Sequence, residues 1–105
     1  MQELFDAVSD KLLAEDGDVA RGKIMHSFGL NVGGKFFAFV RQDRLVLKLP
    51  AARVSELVAG GEGTPFDAGK GRPMREWVSV KPAHEASCAA YVREARDFVG
   101  GLRAS

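Results

Sequence analysis

The stretch FGLNVGGKFFAFVRQDRLVLKLP, residues 28–50, decides the fold. It contains three runs rich in aromatic and β-branched residues, separated by gaps of the length found in β-hairpin turns. The runs are FGLNV, KFFAFVR and RLVLKL, and the gaps are Gly33-Gly34 and Gln42-Asp43. The pattern predicts a three-stranded antiparallel meander.

Both faces of this meander are expected to be apolar. Two-residue turns would place Leu30 opposite Phe37, Phe28 opposite Phe39, and Phe39 opposite Val46. One face would then carry Phe28, Leu30, Val32, Phe37, Phe39 and Val46, and the other Phe36, Ala38, Val40, Leu45, Leu47 and Leu49. Because a solvated sheet face is normally polar, either helices cover both faces or a second chain covers one. The second alternative predicts a homodimer or another protein partner, with an interface of Phe28, Leu30, Phe37, Phe39 and Val46.

The segments around the meander complete an α+β pattern. Apolar spacings of three and four predict a first helix that ends at Gly17, a short helix that ends at Gly60, and a closing helix over 83–102. Two further strands are predicted at 19–25 and 76–82, and a loop at 62–73. This order indicates a mainly antiparallel sheet with helices, in one domain that spans residues 1–105.

The charge is balanced overall but uneven along the chain. Fifteen Lys and Arg residues stand against fourteen Asp and Glu residues, so nothing global predicts binding to nucleic acid or to an anionic membrane. Residues 1–20 carry six acids and one lysine, whereas residues 21–50 carry six bases and one acid. Either the two blocks pair with each other in the fold, or the basic block forms a functional face.

The motifs of several enzyme and cofactor classes are absent. Gly69-Lys70 is preceded by Thr64 where a P-loop needs glycine, and is followed by Gly71 where it needs Ser or Thr. His26 and His84 stand far apart, which predicts no metal site, a surface position for His84, and either a structural or a functional role for His26. Cys88 falls on the apolar stripe of the closing helix and is expected to be a buried thiol. We therefore expect neither an enzyme nor a cofactor.

The location is predicted from the termini and the cysteine. The acidic, amphipathic start is unlike a signal peptide, and no apolar run approaches the roughly 20 residues that span a bilayer. The single cysteine excludes an internal disulfide. A soluble cytoplasmic protein without a membrane partner is the expectation.

The segment AGKGRPMREWV, residues 68–78, has two interpretations. Lys70 and Arg72 are flanked by glycines whose backbone amides could bind a phosphate or carboxylate, with Trp77 as an aromatic surface. Alternatively the glycines form the turn, Pro73 stiffens it, and Trp77 packs into the core.

These residues carry a resemblance to a known family. The run 28–50, the segment PFDAGKGRPMREWVSV and the closing ARDFVGG resemble the TfoX/Sxy N-terminal domain family and the related MmcQ/YjbR-like group, from about Lys23 to Leu102. The most specific matching parts are Phe28-Gly29, Gly34-Lys35, Phe37-Ala38, Leu47-Lys48-Leu49 and Gly71-Arg72-Pro73-Met74.

The resemblance implies a fold and a class of function. The fold would be a small two-layer α+β domain, similar to type III secretion chaperones, with helices packed on a curved antiparallel sheet. The function would be that of a non-enzymatic bacterial protein-interaction or regulatory accessory module, and the alternative is a transcription-related nucleic-acid-binding module. The candidate contacts to nucleic acid or another anion are Lys35, Arg44, Lys48, Lys70 and Arg72. A DNA-binding role suggested for the group would also involve Lys23 and Arg41.

Overall fold

The computed structural model describes residues 1–24, 27–66 and 74–104, and the elements within them confirm the α+β class. They are α1 (Gln2–Glu15), β1 (Val19–Ile24), β2 (Ser27–Val32), β3 (Lys35–Arg41), β4 (Arg44–Lys48), α2 (Ala51–Ala59), β5 (Gly63–Pro65), β6 (Trp77–Val80) and α3 (Glu85–Ala104). The strands form one open sheet in the order β1-β2-β3-β4-β6-β5, and every neighbouring pair is antiparallel.

The three helices bury their apolar stripes in one core against the sheet. The helical members of this core are Phe5, Val8 and Leu12 of α1, Val54 and Leu57 of α2, and Cys88, Val92, Ala95 and Val99 of α3. Their spacings of three and four place them on one side of each helix. The predicted stripes and the burial of Cys88 are thereby confirmed. The side of the sheet that meets this core is called the helix side below.

Ion pairs join the helices at the rim of this core. The pairs are Lys11–Glu85 at 2.8 Å, Glu15–Arg93 at 2.6 Å and Asp16–Arg96 at 2.6 Å between the α1 region and α3, and Arg53–Glu94 at 2.8 Å between α2 and α3. The acidic block at 1–20 therefore pairs largely with the closing helix. Within the described residues, Asp10 of the acidic block pairs with Arg21 of the basic block at 3.2 Å.

The meander forms as predicted, but its first hairpin has a different register. Val32 lies opposite Lys35 and Phe39 opposite Val46, as expected. A β-bulge between Leu30 and Asn31 then shifts the pairing, so that Leu30 lies opposite Ala38 and Phe39 opposite Gly29. The predicted pairs Leu30–Phe37 and Phe28–Phe39 are wrong because a bulge sets two residues of one strand against one of its neighbour.

The bulge changes which face Phe37 occupies. Phe37 and the following residue, Ala38, both belong to the helix-side core, whereas Phe39 belongs to a separate cluster. Gly29 permits the close approach of the strands. A Cβ atom there would lie 2.8 Å from the carbonyl oxygen of Ala38 and 3.0 Å from the Cβ of Phe39.

The segment predicted as a loop at 62–73 begins with a strand. Gly63–Pro65 forms β5, which pairs with β6 at the edge of the sheet. The backbone N–H of Met74 donates to the carbonyl oxygen of Phe66 at 2.9 Å, so these two residues lie next to each other beyond the ends of β5 and β6. Lys70 and Arg72, which lie between, and His26 fall outside the described residues.

Candidate functional site

The side of the sheet opposite the helices presents the candidate site, and we call it the open face. Side chains alternate between the two faces along a strand, and the pairing and contacts assign the members. The open face carries Ile24, Gly29, Asn31, Phe36, Phe39, Arg41, Arg44, Val46, Lys48, Thr64, Trp77 and Ser79, with Phe66 beside them.

Aromatic side chains form a small cluster at its centre. The Phe39 ring lies 5.8 Å from both the Phe66 and the Trp77 rings, and the latter two lie 6.4 Å apart, measured between centroids. Phe39, Val46 and Phe66 are buried, with Ile24 and Trp77 packed against them. Aromatic pairs at such separations add to the stabilisation that burial provides. Phe39 and Val46 are thus covered within the chain, whereas Phe36 and Trp77 remain partly exposed.

This packing corrects the predicted interface. Leu30 and Phe37 are fully buried in the helix-side core, and Phe39 and Val46 are buried in the aromatic cluster, so these four are not available at the surface of the chain. Phe28 is 59% exposed. It lies on the helix side, beside Asp6 and Asp10 of α1. The sequence suggested that either helices or a second chain would cover the second apolar face. In the structure, Phe66 and Trp77 cover Phe39 and Val46 on that face.

Two of the predicted cationic residues, Arg44 and Lys48, lie on the open face at the two ends of β4. Lys48 lies opposite Trp77, with its Nζ 5.8 Å from the centroid of that ring, a cation–π geometry. The Nε of Arg44 donates to the Ser79 hydroxyl at 2.8 Å, and one Nη donates to the Ser79 carbonyl oxygen at 3.2 Å. Each cation is therefore held in position by a neighbour on β6.

Arg41 joins these two cations. It lies opposite Arg44 in the sheet, and its guanidinium carbon is 5.9 Å from the centroid of the Phe66 ring. Lys35 does not join them. It is exposed and precedes Phe36, which is on the open face, so its side chain leaves the strand on the helix side. The sequence did not identify Ser79, Thr64 or Phe66 as neighbours of these cations. The alternating pattern of β6 indicated only that Ser79 shares a face with Trp77.

The described strand positions of the open face carry basic side chains and no acidic one. None of its members named above is Asp or Glu. Asp43, in the turn between β3 and β4, accepts from the N-terminal ammonium at 3.0 Å and pairs with Lys81 at 3.2 Å. Hydrogen bonds from these two cations hold the pKa of Asp43 below its usual value. The carboxylate closest in sequence to Arg41 and Arg44 is thus committed to other cations.

The groups that would support catalysis or metal binding are placed differently. Burial raises the pKa of the Cys88 thiol to about 11, which keeps it protonated at neutral pH. His84 is exposed, as predicted. Across 1–24, 27–66 and 74–104, no three His, Cys, Asp or Glu residues are grouped as a metal site would require. In the same part of the chain, no helix is long and apolar enough to cross a membrane.

The chain was also compared with known proteins. No family model, no curated protein and no solved structure matches it.

Proposed function

We propose that this protein is a non-enzymatic binding module and that its open face binds single-stranded nucleic acid. The observation that supports this function best is the row formed by Arg41, Arg44 and Lys48 on a sheet face whose strand positions carry no acid in the described part of the chain. Lys and Arg residues that neutralise backbone phosphates supply most of the affinity of sequence-independent binding.

The shape of the surface favours a single strand over a duplex. Duplex recognition places a helix or a two-stranded ribbon in the major groove, whereas an open sheet face with aromatic residues offers a platform for unpaired bases. Phe36 and Trp77 are partly exposed on this face. Trp77 lies beside Lys48 and the Phe36 ring lies over Gly22 of β1, so bases would have two aromatic groups to contact and phosphates the cations of β3 and β4.

Binding can be tested by fluorescence anisotropy with short labelled oligonucleotides of single-stranded DNA, single-stranded RNA and duplex DNA. If three cations each neutralise one phosphate, the logarithm of the affinity should fall against the logarithm of salt concentration with a slope of about −2 for a single strand. The double substitution Arg44→Gln and Lys48→Gln should weaken binding about tenfold or more.

Lys35→Gln is the matched control, because it removes one exposed positive charge from the other face of the same sheet. It should leave the affinity within about twofold of the unmodified protein, since a distant exposed charge is screened by salt. No binding at low salt, or equal losses in Lys35→Gln and in the double variant, would refute the proposal.

Protein interaction is a second candidate, and a different surface supports it. A groove of about 650 Å³ runs between α2 and the residues at the end of β5 and just before β6. It is lined by small and apolar residues of α2 together with Pro65 and Met74, and Met74 is 40% exposed. Self-association through this groove would give a homodimer. Sedimentation velocity at increasing concentration tests it, and Met74→Ser should then shift the equilibrium towards the monomer.

Membership in the TfoX/Sxy N-terminal domain family, with a regulatory role in the bacterial cytoplasm, is a further part of this proposal. Its support is the quoted sequence resemblance, together with the agreement between the implied α+β class and the observed sheet with three helices. A set of homologous sequences that retained both the Phe28-Gly29 and the Gly71-Arg72-Pro73-Met74 segments would test the assignment.

A further inference from the structure

A small pocket lies at one end of the open face, beside the turn between β3 and β4. Its volume is about 270 Å³, and its polar lining comes from four strands and the turn. The residues that matter here are Arg41, Gln42, Arg44, Thr64, Phe66 and Ser79. None of the described residues that line this pocket is acidic.

The two arginines of the pocket are held side by side by the backbone. Arg41 and Arg44 are directly opposite each other across the hairpin. Like charges in this position normally destabilise a sheet. The connecting residues Gln42 and Asp43 have φ angles of 53° and 58°, the left-handed region that a two-residue hairpin turn requires and that residues other than glycine adopt at a cost. The chain thus places two arginines opposite each other at this turn, with the Arg41 guanidinium at the Phe66 ring and that of Arg44 at Ser79.

The pocket offers several hydrogen-bond donors in fixed positions. Arg44 uses two N–H groups to contact Ser79, and a guanidinium has five, so further donors remain for a ligand. The Arg41 guanidinium lies over the Phe66 ring, which sets its position. Thr64 is exposed and lies opposite Ser79, and it adds a hydroxyl group to the wall. Arginine pairs with hydroxyl groups suit a tetrahedral oxyanion, which accepts several hydrogen bonds at once.

We propose that this pocket is a phosphate-binding site. The inference rests on the proposed function in one respect, since its occupant there is a phosphate group of the bound nucleic-acid strand. The pocket would hold that group between Arg41 and Arg44 and thereby fix where the strand lies relative to Lys48 and Trp77. The same site would bind inorganic phosphate more weakly, because the remaining contacts of the strand are then missing.

The test is a titration of the full chain with inorganic phosphate, followed by two-dimensional NMR at constant ionic strength, with chloride as the reference anion. Phosphate should shift the amide signals of residues 41–44, 64 and 79 in a saturable way, and chloride should not. Arg44→Gln should weaken phosphate binding about tenfold or more, as expected when charged hydrogen bonds are removed.

Two further variants keep the test decisive. Thr64→Val retains the shape of an exposed side chain but removes its hydroxyl, and it should weaken phosphate binding severalfold even if Arg44→Gln does not fold. Lys35→Gln removes one positive charge on the other face and should leave the phosphate affinity unchanged. Losses of similar size in Arg44→Gln and Lys35→Gln, with no loss in Thr64→Val, would identify a general charge effect and overturn the inference.

The two proposals fail in different ways. If phosphate binds and Arg44→Gln abolishes this binding, but no oligonucleotide binds, the phosphate site stands and the proposed function fails. If oligonucleotides bind and phosphate causes no saturable shift, or if Arg44→Gln and Thr64→Val change neither affinity, the proposed function stands and the phosphate site is refuted.

Discussion

The two faces of the sheet achieve burial by different means. On the helix side, aliphatic residues such as Leu45 and Leu47 pack against three helices, and the surrounding charges pair with one another across the helices. On the open face, Phe39 and Val46 are covered by Phe66 and Trp77, and cations lie over those aromatic rings. A sheet with apolar residues on both faces therefore needs no second chain, and its thinner side is left with basic groups at the surface.

The comparison is sharpened most by removing one phenylalanine from each face. Phe37→Ala should lower the free energy of unfolding by about 3–5 kcal/mol, because a fully buried ring is lost from the large core. Phe39→Ala should fall at the lower end of that range, since its small cluster can collapse more readily. Urea denaturation monitored by circular dichroism measures both values. If Phe39→Ala lowered the free energy of unfolding more than Phe37→Ala, the helix-side core would not be the main source of stability.

The bulge that assigns Phe37 and Phe39 to different faces is tested by Gly29→Ala. The added methyl group would lie 2.8 Å from the Ala38 carbonyl oxygen, so the strands must move apart, at a cost of about 1–3 kcal/mol. Gly17→Ala is the control, because an added Cβ there has no neighbour within 4 Å. Its effect should remain within about 0.5 kcal/mol. Equal denaturation midpoints for the two variants would argue against the bulge.

The paired charges of the helix side predict a pH effect. A hydrogen bond from Arg96 holds the pKa of Asp16 below its ordinary value of 3.8 in the folded state. The pair therefore stabilises the fold above that value, and its contribution is lost as the pH falls through the lower folded-state pKa. Asp16→Asn should cost roughly 0.5–1 kcal/mol at pH 7, a modest figure because both side chains are partly exposed.

Thermal unfolding of Asp16→Asn and the unmodified protein at a series of pH values checks this prediction. The difference between them should be constant near neutrality and shrink as the pH drops below 3.8. A difference that grows in acid would have the wrong sign for this ion pair.

The smallest effect on stability is expected for Lys48→Gln on the open face. A partly exposed cation above an aromatic ring contributes about 0.5–1 kcal/mol, so unfolding should change by no more than that. Oligonucleotide affinity, by contrast, should fall severalfold, because a phosphate contact is lost. Parallel denaturation and anisotropy measurements separate the two quantities. A large loss of stability without a loss of affinity would make Lys48 a structural residue.

The helices and the meander could be predicted because their residue spacings follow from the geometry of a single helix or hairpin. The apolar spacings of α1 and α3 and the two short gaps in the meander follow directly from helix and hairpin periodicity. The bulge at Phe37 escaped prediction because an extra residue in one strand leaves the alternation on either side intact. The strand Gly63–Pro65 escaped because Gly and Pro content favours a loop, and its pairing with β6 depends on tertiary contacts.

The candidate site was only partly predictable for a related reason. Arg44 and Lys48 share a face because they are four positions apart on one strand, and side chains alternate between the faces. Lys35 was grouped with them by charge alone. The bulge at Phe37 shifts the alternation along β3, so Lys35 lies on the helix side of the sheet. The pairing of Asp16 with Arg96 spans most of the chain, so no local pattern of acids and bases could have indicated it.

The central claim is that the open face is the binding face, and Trp77 tests it most directly because it is the only tryptophan in the chain. Titration with an unlabelled single-stranded oligonucleotide at low salt should quench and shift the Trp77 emission, because the indole lies beside Lys48 on that face. Added salt should reverse the change. Oligonucleotide binding that is detected by anisotropy but leaves the Trp77 emission unchanged would place the binding surface elsewhere and contradict the account.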